Sequence, residues 1–132
     1  MKDGFKSSVT EKLDDLLKGE ILTTLKRDPS PEDVDAMTTI ARRRFKENAF
    51  WTISAPEVEC IDLKSRERLK VAFDELRLTG GTLIIVITDK PIVATTFKMI
   101  AIRAGNITLK IAKNQKESSA ISAAHRAKLS KS

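Results

Sequence analysis

Residues 82–88, which read TLIIVIT, constrain the fold more than any other stretch of this chain. Leu83–Ile87 is apolar at every position, so a strand there has no face to offer to water. Such a strand belongs inside a sheet whose two faces are both covered. Gly80-Gly81, just before it, supplies the left-handed backbone at which helices end. We therefore predict a central strand over 82–88 that follows a helix.

The helix before this strand is predicted to open at Ser65, because apolar residues recur after it at helical spacing with charges on the other side. Its buried face consists of Leu69, Ala72, Phe73 and Leu76. Farther upstream, apolar and acidic residues alternate over 57–63, which indicates a short half-exposed strand. The apolar members of that strand are Val58, Cys60, Ile61 and Leu63.

Residues 91–104 fit two structures. Their apolar spacing, with Asp89 before and Gly105 after, favours a helix, whereas the β-branched Thr95, Thr96 and Ile102 favour a strand. The helix is preferred because it makes 57–112 a β-α-β-α-β two-layer unit, ending in the strand ITLKI, that covers residues 82–88. The alternative is a set of helices followed by an antiparallel β-meander.

Two helix-start signals occupy the first part of the chain. Residues 8–11, SVTE, have the form of a capping box, and an apolar stripe at helical spacing follows them as far as Leu25. Ser30-Pro31 with acids in the next two positions is the second start. We therefore expect a single α+β domain over 1–132, in which an N-terminal helical region at 8–50 packs with the unit at 57–112. Residues 113–132, rich in Ser, Ala and Lys, are predicted to form a flexible basic tail.

The stretch GTLIIVITDKP, residues 81–91, resembles part of the small sulfur-carrier proteins of the tRNA-thiolation type. In that family a strand, a helix, a similar apolar strand, an Asp-Pro-bearing turn and a second helix follow in this order. The resemblance implies a two-layer fold for 57–112. The family's Cys-Pro pair is missing here, since Cys60 is followed by Ile61, so the resemblance implies no sulfur transfer.

The chain offers few groups suited to catalysis. Its single histidine, His125, lies in the predicted tail, where nothing holds it near a partner. Its single cysteine, Cys60, has the acidic neighbours Glu59 and Asp62, which raise the pKa of a thiol and lower its reactivity. A lone cysteine also fits a reducing compartment. We expect a non-enzymatic cytoplasmic protein with no cofactor, no metal and no membrane contact.

The net charge of +6 is unevenly distributed along the chain. Residues 40–55 hold four Lys or Arg against one acid, and 113–132 hold five against one, whereas 1–39 hold six against nine. This segregation predicts a positive region that binds the phosphate backbone of DNA or RNA with little sequence specificity. The candidate nucleic-acid-binding residues are Arg42, Arg43, Arg44, Lys46, Lys90, Lys98, Arg103, Lys110, Arg126, Lys128 and Lys131.

The basic stretch at 42–46 also has a purely structural interpretation, because cations in the last turn of a helix stabilise its negative end by about 0.3–1 kcal/mol each. Phe50 and Trp51, which follow, are expected to be anchors of the core or of an interface. The alternative function is therefore a protein-interaction or self-assembly module, a homo-oligomer, that uses the N-terminal helices with Phe50 and Trp51.

Overall fold

The structure is a computed structural model, described here for residues 19–130. Strands and helices alternate strictly along the chain. The elements in order are β1 Glu20–Thr24, α1 Pro31–Arg42, β2 Phe50–Ser54, α2 Leu63–Leu78, β3 Leu83–Ile87, α3 Pro91–Arg103, β4 Leu109–Ala112 and α4 Gln115–Ser130. Within residues 19–130, none of the helices combines the length and apolar character needed to cross a membrane.

The four strands form one parallel sheet in the order β1-β2-β3-β4. Each crossover helix moves the chain one strand in the same direction. Since such crossovers are right-handed, α1, α2 and α3 lie side by side on one face, which we name face A. Contacts between α1 and α2 and between α2 and α3 agree with this arrangement. Helix α4 contacts β3 and β4 from the opposite face, named face B, so the fold has three layers.

Face A holds the larger apolar core. Trp51 from β2 lies at its centre, where its ring meets Phe45 edge-on at 5.7 Å and Phe73 at 5.9 Å, and Phe73 stacks on Phe97 at 6.3 Å. The indole N–H of Trp51 donates to the hydroxyl of Thr23 on β1 at 2.8 Å. These contacts tie strands and helices together and leave the indole nitrogen satisfied.

Face B has a smaller core. Phe50, Leu83, Ile85 and Ile87 point to it, and Ile121 and Leu129 of α4 pack over them. Beside this cluster lies a polar network around Glu20, whose side chain is buried at 6% exposure. Among residues 19–130, one helix covers face B and three helices cover face A.

Local signals explain most of the boundaries. Ser30 caps α1 by accepting from the Asp33 amide at 3.0 Å, and the Asp33 carboxylate accepts from the Ser30 amide, with Pro31 at the first helical position. Asp62 caps α2 in the same way through the Ser65 amide. At the end of α2, Gly80 has φ +98°, a conformation that other residues resist.

Several predictions are confirmed. The buried strand within 82–88 is β3, the helix after Ser65 is α2, and the start at Ser30-Pro31 opens α1. Residues 91–104 are helical, so the antiparallel meander is wrong. The chain is mixed helix and strand as expected, and the stretch ITLKI contributes β4.

Other predictions are wrong. The N-terminal helical region is interrupted by β1, because Ile21 and Leu22 belong to a parallel strand whose short length lets its residues fit a helical stripe by chance. The strand expected at 57–63 is absent: residues 57–62 form a loop, anchored by the buried Val58 and Ile61, and Leu63 begins α2. The strand that precedes α2 is β2, which lies farther upstream at Phe50–Ser54. The capping box at residues 8–11 lies outside the described residues.

The prediction of a flexible tail at 113–132 is also wrong for most of that segment. Residues 115–130 form α4, which packs on face B through Ile121 and Leu129. It adds a third layer outside residues 57–112, the part for which the sulfur-carrier resemblance implies two layers. The sequence indicated at most a marginal helix around Ile121 to Leu129, because the side chains that α4 buries most deeply are the small and polar Ser118 and Ser122, which give no apolar stripe.

Candidate nucleic-acid interface

The topology brings the ends of the helices together. In a parallel sheet each crossover helix runs from the carboxyl end of one strand to the amino end of the next, so α1, α2 and α3 all end beside the amino ends of the strands. Each helix has a basic residue in its last turn: Arg42, Arg77, Arg103 and, on α4, Lys128. Cations that are far apart in sequence are thus gathered at one end of the sheet.

The loop after α1 lies against this amino end. The Asn48 amide donates to the Gly80 carbonyl at 2.9 Å, and the Thr82 amide donates to the Ala49 carbonyl at 2.9 Å. The Cε atom of Lys46 lies 3.5 Å from the point where a Cβ on Gly19 would stand. Lys46 therefore lies beside the first residues of β1, and Arg43, the C-cap of α1, belongs to the same connection.

Helix α4 reaches the same end from face B. The guanidinium of Arg126 lies 3.1 Å from Oε1 of Glu20, the first residue of β1. Oε2 of Glu20 accepts from the hydroxyls of Thr52 at 2.6 Å and Ser122 at 2.9 Å. This network fixes the last turns of α4 beside the start of β1, so Lys46 and Arg126 lie on either side of Gly19-Glu20.

The structure thus brings together two of the basic segments that the sequence singled out. The shared surface, which we name the amino-end surface, consists of Arg43, Arg44, Lys46, Lys110, Arg126 and Lys128. Acids are present there too, since Glu47 packs against Gly80 in the same loop. The buried acid Glu20 is paired with Arg126, so a phosphate would have to compete with this carboxylate for Arg126.

Two further candidates at this end are occupied by other helices. Arg42 makes a two-pronged ion pair with Glu75 of α2, at 2.6 and 2.9 Å, which raises the pKa of Arg42. Arg103 of α3 pairs with Glu67 of α2 at 2.7 Å, and this contact lowers the pKa of Glu67. Both arginines join neighbouring helices of face A, so a phosphate would have to compete with a carboxylate for each.

The remaining candidates lie elsewhere. Lys90 is at the carboxyl end of the sheet, where it donates to the Pro56 carbonyl. Lys98 is exposed midway along α3. Lys131 is outside the described residues. The sequence-based set therefore divides between the amino-end surface and scattered positions.

Sequence reasoning missed a cleft between β4 and the second half of α4. It has a volume of about 400 Å³ and is lined by Lys110, Ala124, His125, Ala127 and Lys128. Nε2 of His125 lies 2.8 Å from the Thr82 hydroxyl, and its ring contacts Phe50 edge-on at 4.8 Å. Burial lowers the pKa of His125, and the charges of Lys128 and Lys110 lower it further. The spacing of Ser118, Ser122, His125 and Leu129 was the signal that could have placed His125 on a packed helix face.

Phe50 and Trp51 are both fully buried, with 0% exposure. Trp51 faces the core of face A, and Phe50 faces the core under α4. The sequence left a core and an interface role open for these residues; both lie in the core, and neither presents a surface to a partner.

The carboxyl end of the sheet has the opposite character. The Asp28 carboxylate accepts from the amides of Glu59 at 2.6 Å and Cys60 at 3.2 Å, and these bonds lower the pKa of Asp28. The same carboxylate raises the pKa of the exposed Cys60 thiol. Among residues 19–130 there is no cluster of three or more His, Cys, Asp or Glu side chains arranged to hold a metal ion. The acids here organise a loop, and the thiol is held in its less reactive form.

Comparison with protein-family models, with curated proteins and with solved structures finds no match to this chain.

Proposed function

We propose that the protein binds DNA or RNA through phosphate-backbone contacts at the amino-end surface, with little base specificity and without catalysing a reaction. The observation that supports this function is the meeting of two basic segments, 43–46 and 126–128, on either side of the start of β1. These two segments are about eighty positions apart in the sequence. They can form one surface because the fold brings both of them to the amino end of β1.

The chemistry favours side-chain contacts over other modes of recognition. An anion at this end faces the carbonyl ends of the helices, whose partial charge is negative, so long cationic side chains must reach beyond them to bind it. Because Phe50 and Trp51 are buried, they offer no platform on which bases could stack. Backbone contacts of this kind position a nucleic acid but do not read its sequence.

The test is the salt dependence of binding to duplex and single-stranded DNA and RNA. A loop variant, Arg43→Gln with Lys46→Gln, and a helix variant, Lys110→Gln with Lys128→Gln, each remove two cations from the surface. If all four contact duplex phosphates, each variant flattens the slope of log K against log salt by about 1.8, which is about 0.9 per contact. The two losses should add if the surface is continuous.

The matched control is Lys64→Gln with Lys98→Gln, which removes the same charge from exposed positions on α2 and α3. This control should leave the slope nearly unchanged. An equal loss in all three variants would mean that only net charge matters, and absence of binding by the parent protein at low salt would refute the proposal.

Self-association is the alternative, and one specific observation favours it. A groove of about 660 Å³ runs along the edge strand β1 beside α1, and Leu22 and Ile40 on it are 45% and 64% exposed. In the described part of the chain the outer edge of β1 has no strand partner, so it can pair with the same strand of a second copy and cover this groove. Light scattering of the parent protein and of Leu22→Ser would show a concentration-dependent dimer that the variant loses.

A further inference from the structure

Helix α3 is apolar on two sides. Its inner side is buried in the core of face A through four apolar side chains, Val93, Phe97, Ile100 and Ala101. On its outer side, Ile92, Met99 and Ile102 are 71%, 59% and 63% exposed. A helix that is apolar all round is normally covered on both sides. The outer side of α3 is therefore a surface suited to contact with a partner.

The exposed apolar side chains lie along one line of the helix. This line, which we name the α3 stripe, consists of Ile92, Thr95, Met99 and Ile102. Intervals of three, four and three residues place all of its members on the same side of a helix. Lys98, on one flank of the stripe, is the single charged residue of α3 before Arg103. The stripe itself carries no charge.

The α3 stripe is symmetric along its length. It gives the same intervals in either direction and has isoleucine at both ends. Two copies of α3 that lie antiparallel therefore place Ile92 against Ile102 of the second copy, and Thr95 against Met99 of the second copy. Each contact occurs twice, as in an isologous interface. The short threonine leaves room for the long and flexible methionine that faces it.

Charges at the ends of α3 favour the same arrangement. Antiparallel helices bring the positive amino end of one beside the negative carboxyl end of the other. The largely exposed Asp89 precedes the first turn, and Arg103, which stays half exposed while it pairs with Glu67, lies in the last turn. Asp89 of each copy thus comes near Arg103 of the other. Two copies of Lys98 meet on the same flank, but their long side chains can direct the ammonium groups into water.

We propose that the α3 stripe is the contact surface for a second copy of this chain, which binds through its own α3 in the antiparallel arrangement with Ile92 opposite Ile102. Helix α3 contacts β4, whereas the groove beside β1 lies at the opposite edge of the sheet. The inference therefore goes beyond the proposed function and does not depend on it.

The size of this contact predicts weak association. The 13 residues of α3 make a helix about 20 Å long and about 10 Å wide, so the contact covers about 200 Å² of each copy. A standard interface buries about 800 Å² per partner. We therefore expect a concentration-dependent dimer with a Kd on the order of 100 μM.

The experiment measures self-association of the full chain by sedimentation equilibrium without nucleic acid. Ile92→Glu alone and Ile102→Lys alone each place a charge against an isoleucine of the second copy, twice in every dimer. Each should weaken the dimer by at least about tenfold. The double variant places a carboxylate opposite an ammonium group at both positions, so it should associate at least about tenfold more tightly than either single variant.

These substitutions are designed to leave the fold intact. Both positions are exposed, and an acid near the start of α3 and a base near its end suit the helix dipole. Urea denaturation of each variant separates loss of association from loss of folding. The matched control is Ile40→Lys, which places a charge on an equally exposed isoleucine of α1 beside the β1 groove and should leave the dimer unchanged.

Three results would overturn the proposal. The first is a parent protein that stays monomeric up to about 1 mM, well above the Kd expected for a contact of this size. The second is a double variant that associates no better than the single variants, because the antiparallel register would then be wrong. The third is a dimer that is lost in Ile40→Lys and retained in Ile92→Glu, which would assign self-association to the β1 groove.

Discussion

The two faces of the sheet are built in different ways. Face A is closed by three helices around Trp51, Phe73 and Phe97, whose rings contact one another. Face B, as far as the described residues show, is covered by α4, which uses two partly buried apolar side chains and the polar network around Glu20. Face A supplies most of the apolar burial that drives folding, while the basic cleft and Arg126 belong to the helix on face B.

Buried hydroxyls without a hydrogen-bond partner among the described residues occur on both faces, at Thr38 of α1 and at Ser118 of α4. A buried hydroxyl without a partner costs free energy, so both helices carry this cost and it does not separate the faces. The faces differ in apolar burial instead, and the candidate binding groups on α4 belong to the face that buries fewer apolar side chains.

The largest expected effect comes from removing α4. Deleting residues 115–132 exposes Phe50, Leu83, Ile85 and Ile87 to water, and burial of each such side chain is worth about 1.5–3 kcal/mol. We expect a loss of at least about 5 kcal/mol in the free energy of unfolding, measured by urea denaturation, together with binding of a hydrophobic dye. An unchanged melting temperature would instead support the prediction from the sequence that this segment is a flexible tail.

A pair of point substitutions compares the two faces directly. Phe73→Ala on face A removes a fully buried ring that contacts Trp51 and Phe97, and should cost about 3–5 kcal/mol. Ile121→Ala on face B removes a partly buried side chain and should cost about half as much or less. Equal losses in urea denaturation would show that the two faces contribute alike.

How far the sequence predicted this molecule depends on the strength of local signals. The apolar run at 83–87, the cap at Ser30-Pro31 and the pair Gly80-Gly81 act within a few residues, and each placed its element correctly. Strand β1 was not predicted because it is a five-residue edge strand whose burial does not alternate, so its apolar residues satisfy a helical pattern equally well. The extent of α4 was not predicted because the side chains that it turns toward the sheet include Ser118, Ser122 and His125, which give no apolar stripe.

The candidate site was less predictable than the fold. The basic residues themselves are visible in the sequence, but their grouping depends on strand order, since a parallel 1-2-3-4 sheet puts all helix ends on one side. Arg42 and Arg103 form ion pairs with carboxylates on a neighbouring helix, whereas Arg43 and Lys46 belong to the amino-end surface. The sequence does not show which basic side chains will find such a partner. The cleft at His125 required both the packing of α4 and the position of Lys110 on β4.

The smallest expected effect tests how face B retains its helix. Glu20→Ala leaves the hydroxyls of Thr52 and Ser122 without their shared acceptor and Arg126 without its partner, so we expect a loss of about 2 kcal/mol. Glu20→Gln separates these contributions. Its amide oxygen can replace Oε2 and accept from the two hydroxyls, whereas its NH₂ group then faces Arg126, so its cost should be about 1 kcal/mol.

The measurement is native-state hydrogen exchange. In both variants the amides of α4 should exchange faster while those of α2 keep their protection, because only α4 depends on this network. Uniform acceleration in α2 and α4 would mean that Glu20 supports the whole sheet, and unchanged exchange in α4 would mean that Ile121 and Leu129 hold the helix without it.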